Sequence, residues 1–231
     1  MQEAVAILQK YWKHDKFRSL QYEIIDSVLS GQDTFALMPT GGGKSVCFQI
    51  PAMISEGICL VISPLVALMK DQVANLQKRN IKAIALTGGI RSDEMIDLLD
   101  NCQFGNYKFL YLSPERLQSD WIMDRIKNLP INLITIDEAH CVSQWGHDFR
   151  PAYLKISALK KHFPQTPFLA LTATATPRVK EDIINELTEQ GYLNTPAKPA
   201  NKKKKAGNKA IRPYFVTVKG IKIGFGHSNI Q

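Results

Sequence analysis

Residues 34–54 read TFALMPTGGGKSVCFQIPAMI, in which an apolar run is followed by a glycine-rich turn and then by a helical segment. A strand, a turn and a helix in this order form the setting of a phosphate-binding loop. Gly41, Gly42 and Gly43 let backbone N–H groups turn inward around phosphate oxygens, and the helix presents its positive end to them. The stretch therefore predicts a phosphate site, although Met38 stands where the motif G-x-x-x-x-G-K-[ST] has glycine.

Polar side chains of this loop are the candidates for nucleotide and metal contacts. Lys44 would reach the β- and γ-phosphates of a nucleotide, and the Ser45 hydroxyl would complete a Mg²⁺ shell. Thr40, in the same loop, joins the candidate nucleotide contacts. A glycine-rich surface turn is the alternative, because Gly-Lys-Ser recurs by chance and only its strand and helix context favours a phosphate site.

A second candidate element, NLITIDEAH (132–140), has acidic residues at the end of another apolar run. Asp137 would hold Mg²⁺ through water and Glu138 would polarise the attacking water, because phosphoryl transfer needs positioning and charge neutralisation more than covalent chemistry. The alternative is a helix N-cap Asp followed by a solvated Glu. Both elements follow strands, and the carboxyl ends of parallel strands are where open α/β sheets bind ligands. Lys44, Asp137 and Glu138 are therefore the predicted catalytic residues of an ATPase.

Short apolar runs alternate with longer segments of helical periodicity along most of the chain. The runs are TFALMP (34–39), ICLVIS (58–63), KAIAL (82–86), KFLYLS (108–113), NLITID (132–137) and FLALTA (168–173). Near-continuous apolar strands are buried on both faces, which predicts an α/β fold with a mostly parallel sheet flanked by helices. Between two runs, LVALMKDQVANLQKR (65–79) has the periodicity of a helix. Its predicted buried face consists of Leu65, Leu68, Met69, Val73 and Leu76.

The charge of the chain is concentrated at one end. Residues 196–231 contain eight Lys, one Arg and no acid, so the total of +8 leaves −1 on residues 1–195. We expect residues 1–195 to form the folded domain and residues 196–231 to be a Lys-rich tail that is disordered or foreign to the fold. Within that tail, PYFVTVKGIKIGFG (213–226) could form a strand or two.

The cysteines and the hydropathy exclude other classes of protein. Cys47, Cys59, Cys102 and Cys141 lack the close pairs of a zinc site, so we expect buried free thiols. No stretch reaches the roughly 20 apolar residues of a membrane span, so we expect a cytoplasmic protein with no membrane partner.

Taken in their order along the chain, the motifs resemble those of superfamily 2 helicases, and above all those of the RecQ family. The resemblance covers almost all of residues 10–180. The resemblance implies that the α/β fold is a RecA-like P-loop domain, the first of two such lobes. FRSLQ (17–21) is similar to the adenine-reading element of the family. That similarity implies that Gln21 hydrogen-bonds the base edge and that Arg18 stacks on the ring.

Three further segments resemble family motifs. SPLVALMKDQV (63–73) and LSPERL (112–117) look like the strand-end motifs that grip a DNA backbone. LTATAT (171–176) looks like the motif that links hydrolysis to movement, which implies a coupling role for Thr172 and Thr174.

CVSQWGHDFRPAY (141–153) resembles the aromatic-rich loop characteristic of RecQ proteins. Trp145 and Phe149 offer planar faces for unstacked bases, and Arg150 can pair with phosphate or stack, as single-strand binding requires. The alternative is that both aromatic residues belong to the core. Such a loop, directly downstream of Glu138, could report DNA occupancy to the hydrolytic centre. The other candidate coupling residues are His140, Gln144 and His147.

The base site departs from the RecQ pattern. The segment before Phe17 usually reads aromatic–Gly–aromatic in that family, whereas this chain has Trp12, Lys13 and His14. The ring that covers the adenine would then be the imidazole of His14. An ordinary surface histidine is the alternative.

The resemblance implies an ATP-dependent DNA helicase that uses ATP and Mg²⁺, acts on single-stranded DNA and duplex junctions with 3′ to 5′ polarity, and serves DNA repair and recombination. No motif of a second RecA-like lobe follows, so we expect that lobe to be absent and this chain alone to be incomplete for ATP turnover. One alternative is a one-lobe protein that binds nucleotide or nucleic acid without unwinding. Another is an RNA helicase of the same superfamily, against which QWGHDFR (144–150) argues.

Overall fold

A sheet of six parallel strands forms the centre of the computed structural model, which describes residues 1–18, 20–143, 148–173, 177–189, 214–217 and 224–225. At residues 92, 177–180, 214–217 and 224–225 only the backbone is described. The strands are β1 (Thr34–Leu37), β2 (Ile58–Ile62), β3 (Ala83–Leu86), β4 (Phe109–Leu112), β5 (Ile131–Ile136) and β6 (Phe168–Thr172). They lie in the order β3-β4-β2-β5-β6-β1 and every neighbouring pair is parallel. Each predicted apolar run coincides with one strand to within a residue or two, so the α/β prediction is confirmed.

Helices connect the strands and cover the sheet. The α-helices are α1 (Gln2–Ile7), α2 (Gln21–Leu29), α3 (Lys44–Ile54), α4 (Val66–Gln77), α5 (Ser92–Phe104), α6 (Asp120–Lys127), α7 (Ser157–His162) and α8 (Pro177–Glu189). A π-helical turn continues α1 at Leu8–Trp12, and 3-10 turns lie at Pro114–Gln118, Ala139–Val142 and Pro151–Ile156.

The predicted buried face of α4 is only partly right. Met69, Val73 and Leu76 are buried, but Leu65 is 47% exposed. Leu65 precedes the first turn of the helix with an extended backbone, so it does not share the face of the residues that follow. The prediction that it is buried was wrong.

The sheet separates two hydrophobic cores, and β2 contributes to both. Leu60 and Ile62 pack on one side, whereas Cys59 and Val61 pack on the other. All five residues of the strand are buried. Because successive side chains of a strand point to opposite faces, a sheet covered on both sides requires a continuous apolar run rather than an alternating one.

The cysteines are buried free thiols, as predicted. Burial raises the pKa of the Cys59 and Cys102 thiols to about 12, so both stay protonated at neutral pH and are poor nucleophiles. In the part of the chain that the structure describes, no helix combines the length and the apolar character that crossing a membrane requires.

Six residues of the predicted tail are described, and they form two short strands. β7 (Tyr214–Thr217) pairs antiparallel with β1, and β8 (Gly224–Phe225) pairs antiparallel with β7. This agrees with the strand potential of PYFVTVKGIKIGFG. The lysine run at 202–205 and the remainder of the tail lie outside the described residues.

Candidate nucleotide-binding site

The glycines of the phosphate loop are required by its backbone. Gly41 and Gly43 have φ angles of 76° and 78°, a left-handed conformation that residues with a Cβ rarely adopt. At Gly42, a Cβ would lie 2.8 Å from the Pro39 carbonyl oxygen, closer than real Cβ contacts allow. The loop, which lies between the end of β1 and the start of α3, therefore requires glycine at these three positions.

Met38, which replaces the first glycine of the motif, does not obstruct the loop. Its side chain is 2% exposed and belongs to the core on one side of the sheet. Its Sδ accepts a hydrogen bond from the Cys47 thiol at 3.5 Å. Because this side chain is buried in the core, the departure from the strict motif places no bulk in the glycine turn.

Arg18 and Gln21 brace the loop from the side of α2. Gln21 Nε2 donates to the carbonyls of Gly42 and Gly43 at 3.3 and 3.1 Å. Its Oε1 accepts from the Arg18 backbone N–H at 2.8 Å, and Arg18 Nη1 donates to the Gly41 carbonyl at 2.8 Å. Both residues thus contact the predicted phosphate loop directly, and their contacts with a base stay predictions.

A cavity of about 680 Å³ opens beside these residues. Its lining consists of Leu8, His14, Asp15, Lys16, Phe17, Arg18, Gln21, Gly43 and Val46. Ligand cavities of a few hundred Å³ with apolar walls and a few polar groups are typical of cofactor sites. His14, Arg18 and Gln21 therefore meet at one cavity, as the base-site prediction requires.

Asp137 is held at the end of β5 by hydrogen bonds to its backbone and to its carboxylate. Its N–H donates to the Ile62 carbonyl at 2.9 Å. Ser63 Oγ donates to Oδ2 at 3.3 Å, and the Glu138 N–H donates to Oδ1 at 3.0 Å. Burial, and then the neighbouring Glu138 charge, raise the pKa of the Asp137 carboxyl above its usual value. A cation beside it would oppose this shift and favour the carboxylate.

Glu138 faces Lys44 across the two motifs. Lys44 Nζ lies 3.4 Å from Glu138 Oε1, and both side chains are mostly buried. Glu138 has φ 49° and ψ 49°, a strained left-handed conformation of the kind that concentrates at functional sites. The hydrogen bond from His140, with the Lys44 charge, lowers the pKa of Glu138. Glu138 is therefore an ionised, oriented acceptor at neutral pH, the form that a general base needs.

His140 connects Glu138 to two other candidate coupling elements. Its Nδ1 lies 3.2 Å from Glu138 Oε2 and 2.8 Å from Thr172 Oγ1. Its Nε2 lies 3.6 Å from Asp148 Oδ2. Hydrogen bonds with Cys141 and then with Glu138 raise the pKa of His140 to about 10, so the imidazole is a cation at neutral pH.

Arg150 connects the segment after Asp-Glu-Ala-His to the two predicted backbone-gripping motifs. Its Nη1 donates to the Pro64 carbonyl at 3.3 Å and lies 3.7 Å from Glu115 Oε1. Phe149 beside it is half-buried. The other predicted DNA-contacting or coupling residues of these segments, Gln144, Trp145, His147 and Thr174, lie outside the described residues.

A second cavity, of about 350 Å³, unites the phosphate, acidic and aromatic-loop elements. It is lined by Thr40, Lys44, Pro64, Leu65, Glu138, His140, Cys141, Asp148, Arg150 and Ala173.

Sequence reasoning did not single out Ser63 or Tyr153, which both hold Asp137. The Tyr153 hydroxyl donates to the Asp137 carbonyl at 2.9 Å. The position of Ser63 at the end of an apolar run was the same signal that identified Asp137, whereas nothing in the sequence indicated the contact of Tyr153.

Comparison with known proteins identifies the family of this chain. A family model described as DEAD/DEAH box helicase matches residues 18–183. The probable ATP-dependent DNA helicase RecS of Bacillus subtilis is 46% identical over 196 residues, which are 83% of this chain and 39% of that protein. The ATP-dependent DNA helicase RecQ of Pasteurella multocida is 43% identical over 189 residues, 82% of this chain and 30% of that protein. The chain thus spans well under half the length of these relatives.

Solved structures share the fold at lower identity. A hypothetical ATP-dependent RNA helicase from Sulfolobus tokodaii superposes with a TM-score of 0.62 at 19% identity, over 83% of this chain and 55% of that one. The helicase MrfA bound to DNA superposes with a TM-score of 0.66 at 22% identity, over 82% and 28%. At such identities the likeness concerns the fold alone.

Proposed function

We propose, because this chain belongs to the DEAD/DEAH box helicase family, that it is the ATP-binding lobe of a DNA helicase that couples ATP hydrolysis to unwinding. Its resemblance to the RecQ group is confirmed by identities of 46% and 43% to RecS and RecQ. Those relatives are named DNA helicases, which favours DNA over RNA as the nucleic acid. The 3′ to 5′ polarity and a role in repair and recombination rest on the family resemblance.

The observation that carries the proposal is the approach of Lys44 to Glu138 at 3.4 Å, across 94 residues of sequence. It brings the cation that would hold the phosphates to the acid that would activate water. A bound γ-phosphate would compete with Glu138 for Lys44, because both are anions within reach of one ammonium group. Glu138, still held by His140, would then accept the proton of the attacking water.

Mg²⁺ fits the residues at this point. Ser45 and Asp137 offer the hydroxyl and carboxylate oxygens that Mg²⁺ prefers, and Mg²⁺ characteristically takes one or two protein oxygens together with substrate phosphates. The raised pKa of Asp137 reflects a buried negative charge beside Glu138, which a cation would neutralise. When bound, Mg²⁺ would neutralise charge on the phosphate oxygens.

The DNA would run along the side of the second cavity that Arg150 lines, away from Lys44 and the proposed phosphate position. Arg150 supplies a guanidinium and Phe149 a ring, and Arg150 contacts Pro64 and Glu115 of the two segments that resemble backbone-gripping motifs. Base stacking on aromatic rings and pairing of Arg with phosphate are the usual means of binding a single strand. His140 would transmit DNA binding at this surface to Glu138, because it contacts Asp148 through one ring nitrogen and Glu138 through the other.

The proposed ATP-binding domain is residues 1–195, and the tail strand β7 adds to its sheet beside β1. A two-lobe motor closes on ATP between its lobes, so we propose a second RecA-like lobe as an obligatory partner for unwinding. Single-stranded DNA and duplex junctions are the proposed nucleic-acid substrates.

The test is ATP turnover by the 231-residue chain joined to a RecQ second lobe, measured without nucleic acid, with single-stranded DNA and with RNA of the same sequence. We expect DNA to stimulate turnover more than RNA does, and equal stimulation would contradict the DNA assignment. Strand separation is measured with a RecQ second lobe joined to the chain, on duplexes that carry a 3′ or a 5′ extension. Unwinding of the 3′-extended duplex supports the polarity. ATP binding without unwinding would identify a nucleotide-binding lobe instead.

A further inference from the structure

Arg79, just beyond the end of α4, attaches the N-terminal segment to the rest of the domain. Its Nε donates to the Tyr11 carbonyl at 3.1 Å, and its guanidinium carbon lies 5.8 Å from the centre of the Trp12 ring. Its Nη1 also donates to the Asn75 carbonyl of α4 at 2.6 Å. One guanidinium therefore joins two elements that are 68 residues apart in sequence.

The Tyr11 carbonyl is a group that needs such a partner. It belongs to the last turn of the π-helical segment Leu8–Trp12, where carbonyl oxygens have no N–H donor inside the helix. A cation at that end also interacts favourably with the helix dipole, and a guanidinium near a Trp ring gains cation–π attraction. Arg79 thus supplies a hydrogen bond, a charge and a stacking surface at the point where the helix ends.

The residue after this turn is strained. Lys13 has φ 61° and ψ 34°, the left-handed conformation that costs roughly 1–2 kcal/mol for a residue with a Cβ. It stands where the RecQ pattern has glycine, which adopts that conformation readily. Lys13 therefore disfavours the backbone turn that it makes, and contacts of neighbouring residues must stabilise that turn.

The residues that follow form one wall of the larger cavity. His14, Asp15, Lys16 and Phe17 all line it, directly after the strained Lys13. Their position relative to the phosphate loop depends on where the turn directs the chain. Tyr11 and Trp12, which Arg79 contacts, pack against the core that also contains α4 residues such as Val73 and Leu76.

We propose that Arg79 is a positioning residue for the nucleotide base: by holding the turn at Tyr11 and Trp12, it sets the wall of the cavity that distinguishes ATP from a bare triphosphate. The inference rests on the proposed ATP-binding function and deepens it. Arg79 does not line the cavity and acts only through the segment that does. Its loss affects recognition of the base more than binding of the phosphates, because Gln21 of α2 still donates to the Gly42 and Gly43 carbonyls of the phosphate loop.

The experiment compares ATP with inorganic tripolyphosphate, which has the phosphates but no base, by titration calorimetry on the 231-residue chain. In Arg79→Ala we expect ATP affinity to fall about five- to tenfold, the size of one cation–π contact. Tripolyphosphate affinity should change less than about twofold. Lys78→Ala is the matched control, because Lys78 is exposed at the neighbouring position and should leave both affinities unchanged.

Two further readouts separate positioning from a general loss of structure. Hydrogen exchange of residues 8–17 should accelerate in Arg79→Ala, while that of α3 stays slow. Arg79→Lys, which keeps the cation but not the planar group, should recover part of the ATP affinity. Equal losses of ATP and tripolyphosphate affinity would reduce Arg79 to a structural residue and overturn the inference.

The failure of this inference differs from the failure of the proposed function. If the unmodified chain binds ATP more tightly than tripolyphosphate and Arg79→Ala keeps that ratio, only the role of Arg79 is refuted. If the unmodified chain binds both equally, the cavity does not recognise a base and the inference falls while phosphate binding stands. If it binds neither, the proposed ATP-binding function fails and the role of Arg79 with it.

Discussion

The phosphate end of the site follows directly from buried strands, whereas the base end is a peripheral segment that is held by long-range contacts. Asp137 follows β5, is 5% exposed and has four hydrogen bonds around its backbone and carboxylate. His14, at the base end, is exposed and follows Lys13, whose backbone is strained. Arg79 and the packing of Trp12 keep this second region in place.

The difference matches two separate requirements of the proposed nucleotide site, ATP hydrolysis and base recognition. Hydrolysis needs charges fixed to within a fraction of an ångström, and a rigid parallel sheet provides that at its carboxyl edge. Base recognition needs only a wall of suitable shape, which a helix end outside the sheet can supply. We therefore expect changes at the phosphate end to alter chemistry severely, and changes at the base end to alter affinity or stability moderately.

The largest effect should come from Glu138→Gln, which removes the proposed general base at the phosphate end. ATP turnover should fall by roughly 10³-fold, the contribution typical of a positioned base, while ATP binding persists. Single-turnover hydrolysis separates the two steps. Glu56→Gln, at an exposed position, is the control. Unimpaired hydrolysis in the Glu138 variant would remove Glu138 from the mechanism.

Lys44→Ala should lower ATP affinity by about 100-fold, because a charge-assisted contact to the β- and γ-phosphates is worth about 3 kcal/mol. The fold should persist, since Glu138 keeps its contact with His140. Calorimetry and the melting temperature measure the two quantities, with the exposed Lys70→Ala as control. ATP affinity equal to that of the unmodified chain would refute the phosphate-loop assignment.

Gly43→Ala tests the point where the two regions meet. A Cβ there would lie 2.4 Å from Gln21 Nε2 and would adopt φ 78°. We expect the free energy of unfolding to fall by about 1–2 kcal/mol and ATP affinity to fall about tenfold. Gly41→Ala has a similar φ of 76° but no atom within 4 Å of its Cβ, so it measures the backbone strain alone. Identical effects of the two variants on ATP affinity would show that Gln21 plays no part.

The smallest effect should come from Lys13→Gly at the base end. Glycine relieves the left-handed strain but loses more entropy on folding, so the net stabilisation should be about 0.5 kcal/mol. Chemical denaturation measures it, and ATP turnover should not change. Asn80→Gly is a matched control, because Asn80 has φ 58° but asparagine tolerates this conformation better than lysine does. A destabilised Lys13→Gly variant would mean that the Lys13 side chain, which donates to the Lys10 carbonyl at 2.9 Å, matters more than its backbone.

Sequence reasoning succeeded where a local pattern has one structural meaning. Continuous apolar runs such as ICLVIS predicted strands buried on both faces, and β2 is buried at every residue. It failed at Leu65, because helical periodicity cannot tell where the first turn begins. It also could not say whether Met38 would block the loop, since this depends on a pocket formed by residues from other elements, such as Cys47.

By itself the sequence determined where the strands lie along the chain, because hydrophobic periodicity is local. It also determined the need for glycine in the phosphate loop, which follows from backbone sterics, and the residues available for chemistry. Only the tertiary structure decided that Lys44 meets Glu138, that Tyr153 and Ser63 hold Asp137, and that Arg79 reaches Tyr11 and Trp12. These contacts join residues far apart in sequence. Their partners are selected by the packing of the whole sheet and its helices, which no local pattern records.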